Sequence, residues 1–149
     1  AHAEWRCVLM KNLIKYLILL LTGGALYYCI ELMARGFSHW TMLFVGGICF
    51  ILIGIINEIM PKIPLVWQMI LSAVIITAVE FVSGCILNIW LGLDIWDYSD
   101  ETFNLIGQIS LKHSIYWFFL SSIGIIVDDY IRYFLFGEER PKYTLFKRR

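Results

Sequence analysis

The chain has 149 residues, of which 60% are hydrophobic and only 16% are charged. A soluble domain usually has about 25% charged residues and about 45–50% apolar residues. A chain of this size cannot hide so many apolar side chains in a soluble core, so lipid must cover part of them. The twelve basic and twelve acidic residues cancel, which excludes a strongly basic nucleic-acid-binding protein.

Four segments reach the roughly 20 mostly apolar residues that a helix needs to cross a bilayer. The predicted spans cover residues 13–33, 40–57, 65–91 and 113–136. This pattern predicts an all-α polytopic membrane protein with one transmembrane domain over residues 1–149. The polar stretch 95–108 lies between the third and fourth spans, and we expect it to fold back over the helix ends, because backbone at membrane depth must be buried in protein or line water.

The first residues have two alternative interpretations. Met10-Lys11-Asn12-Leu13 is typical of a natural start, so residues 1–9 are candidates for upstream or added sequence. Lys11 and Lys15 before an apolar run also resemble a signal peptide. Because no small-x-small cleavage site follows, we interpret this run as a retained first span.

The distribution of lysine and arginine predicts the orientation, since the cytoplasmic loops of membrane proteins are enriched in these residues. With both termini in the cytoplasm, only Arg35 and Lys112 lie on the outer side. The inner side then holds Arg6, Lys11, Lys15, Lys62, Arg132, Arg140, Lys142, Lys147, Arg148 and Arg149. We therefore expect a multi-pass protein of the cell membrane whose two termini are cytoplasmic.

Glu80 is the most informative single residue. It lies near the midpoint of the third span, where an acid costs about 2.5–3.5 kcal/mol on insertion scales, so it must be protonated, paired or facing water. It shares an arc of about 80° with Ala73, Thr77, Gly84 and Asn88, and this stripe should face neighbouring helices. Glu80 is predicted to be a proton, cation or polar-ligand site, or else to make a packing hydrogen bond to Tyr, Ser or Asn.

Other charged residues in or near the spans are placed so that they can form ion pairs within one helix. Glu31 and Arg35 are four residues apart near the outer boundary, so they share a helix face. Arg35 is predicted to bind an anionic head group or to pair with Glu31 or Asp97. Asp128 and Asp129 lie within reach of Arg132 on the same helix, which predicts an intrahelical ion pair.

The sequence has no motif for nucleotide binding, metalloprotease chemistry or a nucleophilic serine, and its four cysteines have no zinc-site spacing. His39 and His113 are isolated histidines. We therefore expect no metal and no cofactor.

The run Trp96-Asp97-Tyr98-Ser99, followed by Asn104-Leu105-Ile106-Gly107, resembles the CmpB-like family, described as putative ABC-transporter type IV. The family's glutamate in the preceding helix matches Glu80, with Gly84 after it, and a first-helix glutamate followed by R-G-F matches Glu31 and residues 35–37. The resemblance covers residues 16–120 and includes Trp117. The sequence departs from the family at Gln108, where a basic residue is expected, and over residues 38–46, which lack the usual prolines. The resemblance implies a transporter permease, whose ATPase would be a separate chain.

Together these features predict an outward-facing polar pocket. Its predicted ligand-binding members are Glu31, Arg35, Glu80, Trp96, Asp97, Tyr98, Asn104 and Gln108. The leading hypothesis is a permease-like protein that binds or translocates a small solute or lipid, as a homo-oligomer or with a membrane or ATPase partner, and not with nucleic acid. The first alternative is a membrane enzyme acting on lipid or polyprenyl substrates, with Glu80 and Asp97 as acid and base. The second is a structural or regulatory subunit without a ligand.

Overall fold

The computed structural model describes residues 2–146. In this part of the chain, the four long helices are α1 (His2–Arg35), α2 (Thr41–Ile59), α3 (Leu65–Gly84) and α4 (Leu111–Phe136). A π-helical segment, Cys85–Trp90, continues α3. Short antiparallel strands β1 (Asn104–Leu105) and β2 (Ile109–Ser110) form a hairpin before α4. All four helices are long and apolar enough to cross a membrane, with the π-helical segment counted with α3. The prediction of an all-α polytopic membrane protein is therefore confirmed.

The chain divides into two compact units, one ending at Ile51 and the other beginning at Leu52, so that α2 contributes to both. We describe each unit by itself. The prediction of a single transmembrane domain over the whole chain stays a prediction.

Helix α1 begins at His2, well before the predicted start of the first span at residue 13. Good helix formers dominate this stretch, and neither proline nor glycine occurs before Gly23. The side chains of residues 2–14 are all exposed. The apolar run therefore predicted the position of the span correctly but underestimated the length of the helix. The other predicted spans differ from the observed helices by only one or two residues at each end, apart from the π-helical end of α3.

Glycines allow α1 and the first half of α2 to approach each other closely. A Cβ atom added to Gly24 would overlap the carbonyl group of Leu43, and one added to Gly23 would overlap Phe50. On α2, Gly46 similarly faces Tyr27, and Gly47 faces Leu20. Small residues promote close backbone contact between membrane helices, so these four glycines define the packing of the first unit.

In the second unit, α3 packs on α4 through a buried stripe. The buried residues of α3 and its π-helical end recur at helical spacing: Leu65, Gln68, Ser72, Ile76, Glu80, Gly84 and Asn88. Beside this stripe the hydroxyl groups of Thr77 and Ser114 share a hydrogen bond of 2.9 Å. The polar stripe predicted on the third span therefore does face neighbouring elements of the protein.

The chain after α4, residues 137–146, turns back and is called the tail segment. Gly137 ends α4 in the left-handed conformation at φ 66°. The carbonyl oxygens of Thr144 and Leu145 then accept the N–H groups of Leu65 and Val66, at 2.7 and 3.3 Å. These N–H groups belong to the first turn of α3 and have no partner within that helix. Lys147, Arg148 and Arg149, which support the predicted orientation, lie outside the described residues.

The glycine packing predicts that Gly24→Ala destabilises the protein by about 1–3 kcal/mol, because the added methyl group overlaps rigid backbone. The thermal unfolding midpoint in detergent should fall accordingly. Gly124→Ala is the matched control, because its methyl group would meet only the flexible end of Ile53. Equal midpoints for the two variants would contradict this account of the packing.

Candidate functional site

The carboxyl group of Glu80 is buried between α4 and the loop of residues 91–110, called the 91–110 loop. The residue is 4% exposed. The Tyr98 hydroxyl donates to Glu80 Oε1 at 2.9 Å, and the Trp117 indole N–H donates to Glu80 Oε2 at 3.0 Å. A buried carboxyl group is costly unless its oxygens are hydrogen-bonded. These two bonds meet that requirement, and they connect the loop, α3 and α4 at one point.

The first turn of α4 positions Tyr98. The Tyr98 ring stacks on the imidazole of His113, with centroids 3.9 Å apart and planes 13° from parallel. His113 is itself hydrogen-bonded to the Ser110 hydroxyl at 2.8 Å. The backbone N–H of Tyr98 donates to the carbonyl oxygen of Gly107 at 2.7 Å. Backbone and ring contacts therefore both direct the phenol towards Glu80.

A second buried network anchors the loop to the π-helical end of α3. Asn88 Nδ2 donates to Gln108 Oε1 at 2.9 Å, while Asn88 Oδ1 accepts the N–H of Ile95 at 2.7 Å. The Trp96 indole N–H donates to the carbonyl oxygen of Gln108 at 3.0 Å. Ile95, Trp96 and Gln108 are all at least 93% buried. The predicted folding of this loop over the helix ends is confirmed.

Gly84 makes room for this network. A Cβ atom at Gly84 would contact the side chains of Gln108 and Trp96. π-Helical turns occur often at functional sites, and here the turn carries the buried amide of Asn88.

Asp97 and Asn104 shape the loop from its exposed side. Asp97 Oδ1 accepts the backbone N–H of Ser99 at 2.9 Å and also accepts its hydroxyl. These two bonds, that of the hydroxyl first, lower the pKa of Asp97. Asn104 Nδ2 donates to the carbonyl oxygen of Glu101 at 2.8 Å, and Asn104 Oδ1 accepts the N–H of Gly107 at 3.0 Å. Gly107 has φ 71°, and a Cβ atom there would overlap Asp97, so glycine is required at this turn.

Glu31 and Arg35 lie in the first unit, where they form a cluster of their own. Arg35 donates to Glu31 Oε2 at 2.8 Å, and the Ser38 hydroxyl donates to the same oxygen at 2.9 Å. The Arg35 guanidinium group also lies 4.7 Å from the centroid of the Phe37 ring. Of the partners predicted for Arg35, the structure therefore supports Glu31.

Among the predicted site residues in the second unit, hydrogen bonds link Glu80 to Tyr98 and Trp96 to Gln108. Trp117 and His113 were not predicted to lie at the site. Trp117 entered only through the family resemblance, and His113 was an isolated histidine. A buried indole N–H needs an acceptor, but nothing in the sequence specifies which helix face supplies it.

A second polar cluster occupies the other end of this unit, beside the tail segment. Arg132 Nε donates to Asp128 Oδ2 at 2.9 Å, as the spacing predicts, and Nη1 donates to Glu58 of α2. The predicted intrahelical ion pair is therefore confirmed with Asp128, whereas Asp129 has other partners. Its oxygens accept hydrogen bonds from Asn57 and from the hydroxyl of Tyr143, each at 2.8 Å.

A cavity of about 1040 Å³ opens beside this cluster. The residues that line it come from α2, the α2–α3 connection, α3, α4 and the tail segment: Gly54, Asn57, Glu58, Pro61, Lys62, Ile63, Gln68, Asp129, Arg132, Gly137, Glu138, Glu139, Arg140, Pro141, Lys142, Tyr143 and Thr144. Burial, together with the hydrogen bond to Asp129, raises the pKa of Tyr143, so its hydroxyl stays protonated at neutral pH. This cavity was not predicted from the sequence, because the basic residues of the tail segment that forms one wall were interpreted as a signal for membrane topology.

The fold is that of a multi-pass α-helical membrane protein. A buried carboxyl group lies between two of its helices, α3 and α4, and the 91–110 loop covers it. The model of the CmpB family, described as "Putative ABC-transporter type IV", matches residues 15–138. The chain therefore belongs to this family. It has no match among curated proteins or among solved structures.

The hydrogen bonds of Asn88 predict that the stability of the protein is sensitive to substitution at this residue. Asn88→Asp keeps the acceptor for Ile95 and replaces the donor to Gln108 with an oxygen that faces Gln108 Oε1. We expect a loss of about 1–3 kcal/mol in the free energy of unfolding, because a buried acceptor loses its donor and meets a like partner. Asp100→Asn, at an exposed position of the same loop, is the control. Unchanged stability of Asn88→Asp in detergent would refute the network.

Proposed function

We propose that the protein is a permease-like membrane protein that binds or translocates a small solute or lipid at the loop end of its second unit. The observation that carries this proposal is the buried carboxyl group of Glu80, which the 91–110 loop covers through Tyr98. Ionisable residues within membrane spans mark substrate, ion or proton pathways. The transporter description of the family points the same way.

In the proposed mechanism, the 91–110 loop is the gate. Its movement would withdraw the Tyr98 hydroxyl from Glu80 Oε1, while Trp117 on α4 continues to hold Oε2. An ammonium or hydroxyl group of the solute would then donate to the released oxygen. Gln108 anchors the gate to Asn88 and accepts from Trp96 within it, and Asp97 and Asn104 maintain its turn. Glu31 and Arg35 remain a predicted binding pair of the first unit.

Binding is better supported than acid–base catalysis. The enzyme hypothesis needs Glu80 and Asp97 to converge on one substrate. Glu80 accepts hydrogen bonds from Tyr98 and Trp117, whereas Asp97 accepts two from Ser99 at the exposed side of the loop. These different partners favour a binding role for Glu80 and a turn-forming role for Asp97.

We also propose that the protein lies in the cell membrane with both termini in the cytoplasm. The support for this orientation is the lysine and arginine distribution, with ten of these residues on the proposed inner side and Arg35 and Lys112 on the outer side. Four spans form a narrow translocation path, so we also propose self-association in the bilayer or association with a membrane or ATPase partner.

Glu80→Gln tests this function. Glutamine has nearly the same shape, and its carbonyl can accept from Trp117 while its NH₂ group donates to the Tyr98 hydroxyl, which can accept. The variant should therefore fold and lose only the carboxyl chemistry. In proteoliposomes, we expect at least one probe among glycine, putrescine, lactate and a fluorescent phospholipid to be moved by the wild type. Glu80→Gln should slow that movement about tenfold or more, which corresponds to about 1.4 kcal/mol.

Glu101→Gln is the matched control, because Glu101 pairs at the surface of the same loop with Lys112 at 2.8 Å. It should transport as the wild type does. If the folded wild type moves no probe, or if Glu80→Gln moves it equally fast, the proposal is wrong. Lower thermal stability of Glu80→Gln with unchanged transport would favour a purely structural role for the carboxyl group.

A further inference from the structure

The cavity beside the tail segment contains buried polar atoms without partners. Gln68 is 4% exposed; its Nε2 donates to the carbonyl oxygen of Ile63 at 3.3 Å, and its Oε1 has no hydrogen-bond partner. Arg132 is 3% exposed; its Nε and Nη1 are bonded to Asp128 and Glu58, and its Nη2 has no partner. Both residues line the cavity. An unsatisfied buried polar group costs about 1–3 kcal/mol, so each of these atoms requires an explanation.

Two other polar side chains that line the cavity, Asn57 and Asp129, are hydrogen-bonded to each other. Asp129 accepts from Asn57 and Tyr143, so neither of its oxygens lacks a donor. Among the described residues that line the cavity, the buried atoms left open are therefore one guanidinium donor and one amide acceptor. A molecule that satisfies both must present an acceptor to Arg132 and an N–H or O–H donor to Gln68.

The charged side chains around the cavity further restrict the kind of ligand that fits. Four acidic side chains and four basic side chains line it: Glu58, Asp129, Glu138 and Glu139 against Lys62, Arg132, Arg140 and Lys142. This balance gives no net attraction to a cation or an anion, and it suits a molecule that carries one charge of each sign. The volume of about 1040 Å³ lies just above the range of about 300–1,000 Å³ for small-molecule sites, so the cavity has room for a small molecule.

The structure also explains how the site is held together. The tail segment, which forms one wall, is fixed by the bond from Tyr143 to Asp129 and by the caps that Thr144 and Leu145 provide for α3. Gly54 forms another part of the wall, and a Cβ atom there would contact Asp128 and lie 2.8 Å from Arg132 Nη2. Glycine at this position keeps the space beside the open donor.

We propose that this cavity is a binding site for a small zwitterion, with a carboxylate or phosphate oxygen accepting from Arg132 Nη2 and a protonated amine donating to Gln68 Oε1. The ligand is either a soluble amino acid or the head group of an ethanolamine phospholipid, which share this chemistry. The site is separate from the Glu80 cluster, and the proposal does not depend on translocation.

The test measures binding to the full chain in detergent by calorimetry. The soluble probes are glycine, β-alanine and γ-aminobutyrate, whose charges are progressively farther apart, with glycine betaine as the analogue that lacks an N–H donor. The lipid arm compares the unfolding midpoint in nanodiscs of phosphatidylcholine with and without phosphatidylethanolamine. We expect at least one N–H zwitterion or the ethanolamine lipid to bind, and the methylated counterpart to bind about tenfold more weakly, as the loss of one hydrogen bond to a charged group implies.

Gln68→Leu removes the open acceptor at similar volume. It should fold, because the loss of the 3.3 Å bond from Nε2 to Ile63 is offset by the removal of an unsatisfied buried atom. It should lower affinity for the N–H ligand about tenfold, to the level of the methylated analogue. Gln68→Glu keeps an acceptor and should bind at least as tightly as the wild type. Lys112→Gln, at the start of α4 and outside the cavity lining, is the control and should bind as the wild type does.

The soluble arm and the lipid arm identify the source of the ligand, and a positive result in either supports the proposal. Binding in neither arm would overturn it. Equal binding of the methylated and unmethylated ligands, or an unchanged affinity in folded Gln68→Leu, would also overturn it.

Discussion

The second unit depends on the hydrogen bonds that satisfy a carboxyl group inside a membrane span. Glu80 is costly in lipid whether it faces acyl chains or a dry core, so the surrounding elements must supply donors. Trp117 on α4 and Tyr98 on the 91–110 loop supply them from two directions. Both donors are engaged in this structure, so the position of the loop is coupled to the packing of α3 on α4.

The same requirement explains several local features of the chain. The loop has three non-glycine residues with positive φ, Asp94, Phe103 and Ile106, and this conformation is unfavourable for a β-branched side chain such as that of Ile106. Such backbone strain persists only where the surroundings fix the conformation. The buried side chains of Asn88 and Trp96 provide that constraint through their bonds to Ile95 and Gln108.

Hydropathy and polar spacing predicted the helices well, because span length and the 3.6-residue period are directly visible in the sequence. The burial of Glu80 and the folding of the 91–110 loop over α3 followed from the cost of polar groups in lipid. The partners of Glu80 did not follow, because the rotation of α4 that brings Trp117 inward depends on packing that no periodicity encodes. The cavity beside the tail segment was not predicted, for a similar reason. It requires residues 137–146 to return to the start of α3, and Arg140 and Lys142 of this segment were interpreted as a signal for membrane topology.

The Tyr98 hydroxyl and the Glu80 carboxyl group stabilise each other across the contact between the 91–110 loop and α3. This interaction can be measured by a double-mutant cycle of Tyr98→Phe and Glu80→Leu, with free energies of unfolding determined in mixed micelles. We expect a coupling energy of about 1 kcal/mol or more, because the interaction is buried and each single variant leaves one partner unsatisfied. Additive effects of the two substitutions would contradict it.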